Sequence, residues 1–492
     1  MDAILTTADW HARAAALQPR KQAFIDGQWV DALSGATFDC HSPLDGRLLA
    51  QVAACDSADI DRAVAAARRS FERGDWANAT PRHRKQVLLR FAQLLREHRD
   101  ELALTETLDV GKPISDSLTV DVLSSANCLQ WYAEAIDKRY DEVAPTGPGS
   151  LALVTREPLG VVGAIVPWNF PLIMAAWKIG PVLAAGNSLV LKPSEKSPLS
   201  VLRVAELAVE AGLPPGVFNV VPGFGHTAGA ALALHDDVDA ITFTGSTATG
   251  RQVMAAAAQS NLKRVSLELG GKSPNIVMAD CRDLDRAAQA AALGIFFNQG
   301  QMCSAASRLL VHVDMKDALL ERIDALAAQL QPGDPLDPAT RLGAIVDGPQ
   351  LQRVLGYIDS GRAEGARLRS GGQQCRLESG GQYLQPTVFD GVQAGMRIAR
   401  EEIFGPVLAT ITFRTVAEAI EKANNTAYGL SAGIWTEKGS RILQVANALK
   451  AGVVWANTFN RFDPTAPFGG YKESGYGREG GMQGLHAYLR SS

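Results

Sequence analysis

A cysteine in a polar, glycine-containing loop is the clearest candidate for chemistry in this sequence. Cys303 ends the segment NQGQMC (298–303), which lies between a predicted helix and a predicted strand. Loops at such junctions expose reactive groups, whereas an ordinary free cysteine is buried and inert. A thiol with a pKa of about 8.5 is only about 3% thiolate at pH 7, so a nucleophilic Cys303 needs a base or a positive local field. Glu268, which ends a predicted strand just before Gly270 and Gly271, is the candidate base; the alternative is a strand-end carboxylate in water.

Two glycine turns and one Lys/Glu pair could hold phosphate and sugar groups. The turns at 223–229 and 245–250 each follow a predicted strand, and glycine lets the backbone approach a phosphate at a helix start. Neither matches the fingerprint GxGxxG, because the first has one residue too many and the second lacks the middle glycine, so each alone could be an ordinary turn. Lys192 and Glu195 follow the predicted strand 188–191. An acid there can accept ribose hydroxyls and a lysine can reach the same sugar or a phosphate; a solvated surface pair is the alternative.

Other catalytic motifs do not occur in the sequence. A P-loop ending in Gly271-Lys272-Ser273 would need glycine where Ser266 stands. There is no nucleophile elbow, no HExxH and no CxxC pair for zinc or redox chemistry. We therefore predict no metal site.

The elements that must position these residues alternate between strand and helix. The sequence predicts strands at 161–166, 188–191, 217–221, 240–244 and 264–268, and helices at 198–211, up to 235 and at 247–259, with Ser197 as the N-cap before Pro198. This order is typical of a doubly wound parallel sheet, in which ligands bind at the carboxyl ends of the strands. A second α/β series begins after the linker 270–274, with strands at 274–278 and 308–313 and helices at 284–297 and 316–330, and continues to about residue 455. A cleft between the two series would bring a cofactor and a small substrate together.

Composition excludes several other classes of protein. The chain has 492 residues, with 48 Lys plus Arg against 52 Asp plus Glu, and this net charge of −4 argues against a nucleic-acid or anionic-membrane binder. Six widely spaced cysteines in a long chain do not suggest a disulfide scaffold. The N-terminus lacks a signal-peptide pattern, and the most apolar stretch, 172–186, contains Lys178 and Pro181, so we expect a cytoplasmic protein without a membrane span. The basic stretch 81–100 is interpreted as an amphipathic helix whose basic side chains face solvent.

Seven motifs together resemble the aldehyde dehydrogenase superfamily. In chain order they are VPWNFP (166–171), KPSE (192–195), FTGS (243–246), LELGGK (267–272), NQGQMC (298–303), EEIFGP (401–406) and PFGG (467–470). The resemblance covers nearly the whole chain and implies an α/β fold with two doubly wound domains, one for the cofactor and one catalytic, plus a small β oligomerisation arm. It assigns 1–138 and 157–268 to the NAD-binding domain, 269–458 to the catalytic domain, and 139–156 with 459–492 to the arm and C-terminal segment.

The resemblance also implies catalytic roles. Cys303 would be the nucleophile, Glu268 the base that activates the hydrolytic water, and Asn169 the donor that holds the oxyanion with the backbone N–H of Cys303. Lys178 and Glu479 would relay protons. A base at Glu268 implies hydrolysis of the thioester rather than its transfer to coenzyme A.

The cofactor implied by the resemblance is NAD. A carboxylate at Glu195 would repel a 2′-phosphate, so we predict NAD over NADP. In the family, the matching positions contact the adenosine ribose (Lys192, Glu195), the pyrophosphate (Ser246), and the nicotinamide ribose and ring (Glu402, Phe404). The full set of implied contacts is Ile165, Val166, Pro167, Trp168, Lys192, Glu195, Gly225, Phe243, Gly245, Ser246, Leu269, Glu402 and Phe404.

The substrate class is inferred from three short segments outside the seven motifs. The segments 131–138, 192–198 and 280–284 look like the bacterial branch that degrades polyamines through ω-amino or γ-glutamylamino aldehydes. The substrate-pocket candidates are Phe170, Met174, Trp177, Phe297, Met302, Phe462, Asp463 and Phe468, with Asp463 the one acid that could meet an amine. A broad aliphatic or aromatic aldehyde substrate stays open.

The oligomeric state can be anticipated from the resemblance, and two alternative functions stay open. Family members usually continue past 485–488 with a strand that joins a sheet between subunits, whereas this chain stops at Ser492; we still expect a homodimer or homotetramer. One alternative function is a thiol esterase or acyltransferase that uses Cys303 and Glu268 without redox chemistry. Another is a non-catalytic descendant, which would be expected to have lost one of these two residues.

Overall fold

The computed structural model describes residues 5–492, and an eight-stranded sheet forms its first layer. The strands lie in the order Gln28–Val30, Ala23–Ile25, Phe218–Val220, Ser188–Lys192, Val161–Ile165, Ala240–Thr244, Arg264–Glu268 and Gly475–Tyr476. The five central strands are parallel, and the outer ones pair antiparallel. Most central strands are buried along their whole length, as expected of a sheet covered on both faces. Their carboxyl ends therefore open together at one edge, as the sequence predicted.

Helices cover this sheet. They are Ser57–Arg73, Pro81–Glu97, Arg99–Val110, Val122–Ala135, Pro171–Ala184, Leu199–Glu210, Ala230–Leu234 and Thr247–Gln259. The helix Pro81–Glu97 buries Val87, Leu88 and Phe91, while the side chain of Lys85 pairs with Asp137. The buried face confirms an amphipathic helix, although it ends at Glu97 and a second helix begins at Arg99. The expectation that all its basic side chains face solvent is wrong for Arg84, which is buried because its guanidinium donates to the carbonyls of Ala77 and Ala79.

A seven-stranded sheet forms the second layer. Its order is Arg367–Ser370, Thr387–Asp390, Val407–Phe413, Arg308–His312, Pro274–Val277, Ser431–Trp435 and Val453–Ala456, and only the first strand is antiparallel to its neighbour. Its helices are Leu284–Phe296, Lys316–Gln329, Gly348–Ala363, Arg397–Arg400, Val416–Asn424 and Gly439–Ala448. The chain passes from the first sheet to the second within 269–273. The domain limits drawn from the sequence stay predictions.

Short elements complete the fold. Three further helices are Thr7–Ala16, Ile114–Asp116 and Gly481–His486. The described residues also form five two-stranded sheets: Thr37–His41 with Leu48–Ala53, Glu142–Ala144 with Ala152–Val154, Arg156–Pro158 with Leu489–Ser491, Gln374–Cys375 with Tyr383–Leu384, and Tyr428–Gly429 with Tyr471–Lys472. Within residues 5–492, no helix combines the length and the apolar character needed to cross a membrane.

One expectation about the start of a helix is wrong. The helix predicted from Pro198 begins at Leu199 with no side-chain cap, because the Ser197 hydroxyl donates to the carbonyl of Trp168 at 3.1 Å. At the C-terminus, a short strand, Leu489–Ser491, pairs with Arg156–Pro158 of the same chain. The C-terminal residues therefore pair with a strand that begins at the end of the segment 139–156, which was predicted to form part of the arm.

Candidate active site

The loop that carries Cys303 is held in a strained backbone conformation. After the helix Leu284–Phe296, Asn298, Gln299 and Gly300 all adopt positive φ, at +48°, +56° and +70°. Such conformations are costly for residues with a Cβ and persist where surrounding contacts enforce them. The Asn298 amide supplies two such contacts, donating to the carbonyls of Asn169 at 2.9 Å and Gln301 at 3.2 Å. The sequence-predicted loop is therefore a fixed support for a partly exposed Cys303.

Glycines let the loop meet the end of the first sheet. A Cβ at Gly271 would clash with the carbonyl oxygen of Cys303, and one at Gly300 would clash with the carbonyl of Gly405. The strand Arg264–Glu268 ends just before Gly270 and Gly271, so the close approach brings the Glu268 carboxyl and the Cys303 thiol into one site. Glu268 thus ends its strand and Cys303 lies in the loop between a helix and a strand, as the sequence predicted.

Asn169 lies beside the nucleophile loop. Its side chain is 4% exposed, and its Nδ2 donates to the carbonyl of Gln301 at 2.8 Å. An amide nitrogen carries two N–H groups, so this bond leaves one donor for another acceptor. The arrangement fits an oxyanion-holding role at the adjacent Cys303.

Burial dominates the electrostatics of the reacting groups. Burial raises the pKa of Glu268 to about 7, against the opposing effects of Lys178 and of the Cys303 thiol. Burial and the neighbouring Glu268 raise the pKa of Cys303 well above its ordinary value. The resting site therefore holds a neutral thiol beside a carboxyl that can exist in either form near neutral pH.

Lys178 is a third ionisable group near Glu268 and Cys303. It lies on the helix Pro171–Ala184, is fully buried and forms an ion pair with Glu479. Burial lowers the pKa of Lys178 to about 7, although Glu268 and Cys303 favour its charged form. The structure thus brings both sequence-predicted relay residues next to each other and near Glu268.

Groups able to hold a dinucleotide line the carboxyl edge of the first sheet. Lys192 is buried and donates to Glu195 at 3.1 Å and to the carbonyl of Pro193 at 2.9 Å, whereas Glu195 is half-buried. Ser246 caps the helix Thr247–Gln259, whose first turn presents free N–H groups. A Cβ at Gly225 would meet open space, so the backbone of that turn is accessible. Carboxylate, ammonium and helix N-terminus together suit ribose hydroxyls and a pyrophosphate.

The opposite wall of the cleft comes from the second layer. Glu402 accepts from the backbone N–H of Gly271 at 2.9 Å, and its burial raises the pKa of the carboxyl to about 7. Phe404 has a φ of +60°, and its ring meets the edge of the Trp168 ring at 5.2 Å. These contacts place Glu402, Phe404 and Trp168 around one gap between the layers.

The remaining predicted cofactor contacts are mostly apolar. Ile165, Val166 and Pro167 form the end of a central strand and the turn after it. Phe243 packs beneath Gly245, and Leu269 packs beneath Gly250, where in each case a Cβ would clash. The side chains of Phe243 and Leu269 therefore pack closely against the glycine turn at 245–250.

The aromatic side chains among the substrate-pocket candidates form two groups. Phe170 stacks on Phe297 at 6.2 Å, while Phe468 meets both Trp177 at 6.5 Å and Phe462 at 5.1 Å. Met302 is buried, Met174 is partly buried, and Phe462 is 44% exposed at the outer end. Asp463 is exposed, and its Oδ1 accepts from both the backbone N–H and the hydroxyl of Thr465, which lowers the pKa of Asp463. The predicted acid thus stands at the surface with one oxygen already engaged.

Comparison with known proteins identifies the family. The model of the aldehyde dehydrogenase family matches residues 29–492. The chain belongs to the aldehyde dehydrogenase family. The resemblance carried by the seven motifs is confirmed, and so are the fold class and the expectation of an enzyme.

Three similar aldehyde dehydrogenases show how close the match is. The aminoacetaldehyde dehydrogenase of Pseudomonas aeruginosa is 51% identical over 97% of this chain and 95% of its own. The gamma-glutamyl-gamma-aminobutyraldehyde dehydrogenase of Burkholderia cenocepacia is 59% identical, with a TM-score of 0.98 over 99% of both chains. An indole-3-acetaldehyde dehydrogenase of P. syringae, solved with NAD+ and IAA, is 56% identical, with a TM-score of 0.99 over 99% of both chains.

Two further residues of this aldehyde dehydrogenase adjoin the site but were not predicted from the sequence. Lys112 is buried 4.2 Å from the centre of the Phe170 ring and pairs with Asp121 at 2.6 Å. Asn460, with a φ of +53°, accepts from the Ser304 hydroxyl at 3.1 Å. The contacts of Lys112 with Phe170 and of Asn460 with Ser304 join segments far apart in the chain. The spacing of residues in the sequence therefore does not indicate a role for Lys112 or Asn460.

Proposed function

We propose that this enzyme oxidises an ω-amino or γ-glutamylamino aldehyde to the carboxylic acid, with NAD as cofactor. The observation that carries the reaction is the meeting of Cys303, Glu268 and Lys178 in one site. A thiol esterase or acyltransferase would need Cys303 and Glu268 but not the dinucleotide-holding groups. The intact Lys192, Glu195 and Glu402 therefore favour the redox reaction.

The first step is attack by the nucleophile. The Cys303 proton passes to Glu268, whose pKa of about 7 makes it an adequate acceptor, and the thiolate adds to the aldehyde carbon. The oxyanion of the thiohemiacetal is held by the free N–H of Asn169 Nδ2 and the backbone N–H of Cys303. Preorganised donors of this kind are each worth about 10² to 10³ in rate.

The second step frees the product. Lys192, Glu195, Glu402 and Phe404 would hold NAD, which would supply the acceptor for the hydride of the thiohemiacetal carbon. Cys303 is then a thioester, and Glu268 deprotonates the water that hydrolyses it. Lys178 and Glu479 carry the proton onward from Glu268, which their buried ion pair allows.

The substrate class rests on the pocket and on the relatives. The apolar surfaces of the two aromatic groups, one around Phe170 and one around Phe468, suit the methylene chain of an aminoaldehyde as well as an aromatic ring. Relatives at 51% and 59% identity are named for amino or γ-glutamylamino aldehydes. The second candidate is an aromatic aldehyde, because the aromatic walls and the indole-3-acetaldehyde relative at 56% identity favour it.

NADH production on an aldehyde panel tests this proposal. The panel pairs 4-aminobutanal and its γ-glutamyl derivative with phenylacetaldehyde and indole-3-acetaldehyde, and compares wild type with Cys303→Ala. We expect the highest kcat/KM on an amino or γ-glutamylamino aldehyde and no activity in the variant. A higher kcat/KM on the aromatic aldehydes would favour the second candidate, and activity in Cys303→Ala would remove the mechanism.

We also propose that the enzyme is a homodimer or homotetramer. The hairpin Glu142–Ala144 with Ala152–Val154 exposes Val143 at 66% and Leu153 at 59%. Exposed apolar side chains on a two-stranded sheet with free edges are suited to pairing with another chain.

A further inference from the structure

An ion pair joins the two layers beside the cofactor gap. Lys196 follows Glu195 at the edge of the first sheet, and Asp347 precedes the helix Gly348–Ala363 of the second layer. Their side chains, 32% and 28% exposed, meet at 2.6 Å between Nζ and Oδ2. The other oxygen of Asp347 accepts from the backbone N–H of Gln350 at 2.8 Å, so the same carboxylate caps this helix.

The first turn of this helix also holds the Glu402–Phe404 segment. Gln350 donates through Nε2 to the carbonyl of Phe404 at 2.8 Å. Arg353, one turn further, donates to the carbonyl of Glu402 at 3.0 Å. The backbone of the wall that faces the cofactor is therefore fixed to the helix that Asp347 caps.

Lys196 also contacts Trp168, which packs against Phe404. The ammonium of Lys196 lies 5.5 Å from the centre of the Trp168 ring, which in turn meets Phe404. Ser197 donates to the Trp168 carbonyl and fixes this tryptophan to the same turn. Lys196, Asp347, Gln350, Phe404 and Trp168 thus form a closed ring of contacts across the gap.

We propose that Lys196 and Asp347 act as a clasp that positions the Glu402–Phe404 wall against Trp168 and slows release of the cofactor. The inference rests on the proposed NAD-dependent function. An ordinary surface pair contributes little, because two flexible chains must be ordered to form it. Asp347 is already ordered as a helix cap, and Lys196 is only about one-third exposed, so less ordering is needed here. Opening the gap between the layers would break the pair.

The test measures NADH release by stopped-flow fluorescence in Lys196→Gln, Asp347→Asn and the double variant. Asparagine is also a good N-cap, so Asp347→Asn removes the charge and keeps the helix start. The control is Lys85→Gln, which removes the Lys85–Asp137 pair of 2.7 Å and similar exposure within the first layer. Lys196→Arg keeps the charge and should restore slow release.

We expect each clasp variant to release NADH about two- to fivefold faster than wild type, the range that an ion pair of this kind supports. The double variant should release it no faster than the faster single variant, because the two changes break one interaction. Lys85→Gln should match wild type, and hydrolysis of an acetylated Cys303, measured without cofactor, should be unchanged in all variants. Release at the wild-type rate, multiplying effects in the double variant, or an equal effect of Lys85→Gln would overturn the clasp. A wild type that fails to bind NADH would instead refute the NAD-dependent function.

Discussion

The protonation of Glu268 gives the sharpest test of the mechanism. The carboxyl acts as a base only when ionised, and burial raises its pKa to about 7. A carboxyl with this pKa is about 9% ionised at pH 6 and about 91% ionised at pH 8, so hydrolysis of the thioester should rise about tenfold between these values. At the ordinary value of 4.5, Glu268 would stay ionised throughout and the rate would hardly change.

The measurement uses an acyl-enzyme that forms without cofactor. p-Nitrophenyl acetate acetylates Cys303, and intact mass then follows loss of the acetyl group from pH 6 to pH 8. In Glu268→Gln the acetyl-enzyme should accumulate, and its slow decay should lack the step near pH 7. The decay of this variant also supplies the background due to hydroxide.

Two outcomes would refute this reasoning. A flat wild-type profile would mean that burial does not raise the pKa of Glu268 as described. A step near pH 7 that persists in Glu268→Gln would assign the titration to another group, such as Lys178 or Glu402, because burial brings the pKa of each to about 7.

Three further predictions follow from the site. Asn169→Ala should lower kcat/KM by about 10² to 10³ with the circular dichroism spectrum unchanged, because one oxyanion donor is lost; a smaller than threefold effect would contradict that role. Glu195→Gln should raise kcat/KM with NADP relative to NAD, because it removes the carboxylate that repels a 2′-phosphate, and equal wild-type values for the two cofactors would contradict the preference. Charges introduced by Val143→Glu with Leu153→Glu should reduce the particle mass in light scattering, whereas a monomeric wild type would argue against the proposed assembly.

The regular part of the fold could be predicted from local sequence. The strands Ala240–Thr244 and Arg264–Glu268 and the helix Thr247–Gln259 have the predicted limits, because alternating periodicity and the glycine turns mark both ends. Ser197 shows where this fails. Its hydroxyl has a competing acceptor in Trp168, and a partner that distant in the chain leaves no trace in local spacing.

The site was predictable as a set of residues but not as a geometry. Motifs identified Cys303, Glu268 and Asn169, yet nothing in the sequence indicates three successive left-handed residues before Met302. The exposed turn at Asp463 could have been anticipated, because an aspartate two residues before a threonine commonly accepts its backbone N–H. The edge strand Gly475–Tyr476 and the Lys196–Asp347 pair could not, since each depends on chain segments that only the tertiary fold brings together.

The neutral state of the resting nucleophile has a consequence for oxidative damage. Peroxide attacks the thiolate rather than the thiol, so a cysteine with a strongly raised pKa is oxidised slowly although it is partly exposed. Cys303 becomes reactive only when its proton moves to Glu268, which couples its reactivity to the same carboxyl that later activates water. We therefore expect peroxide to oxidise Cys303 more slowly in the resting enzyme than after its proton has moved to Glu268.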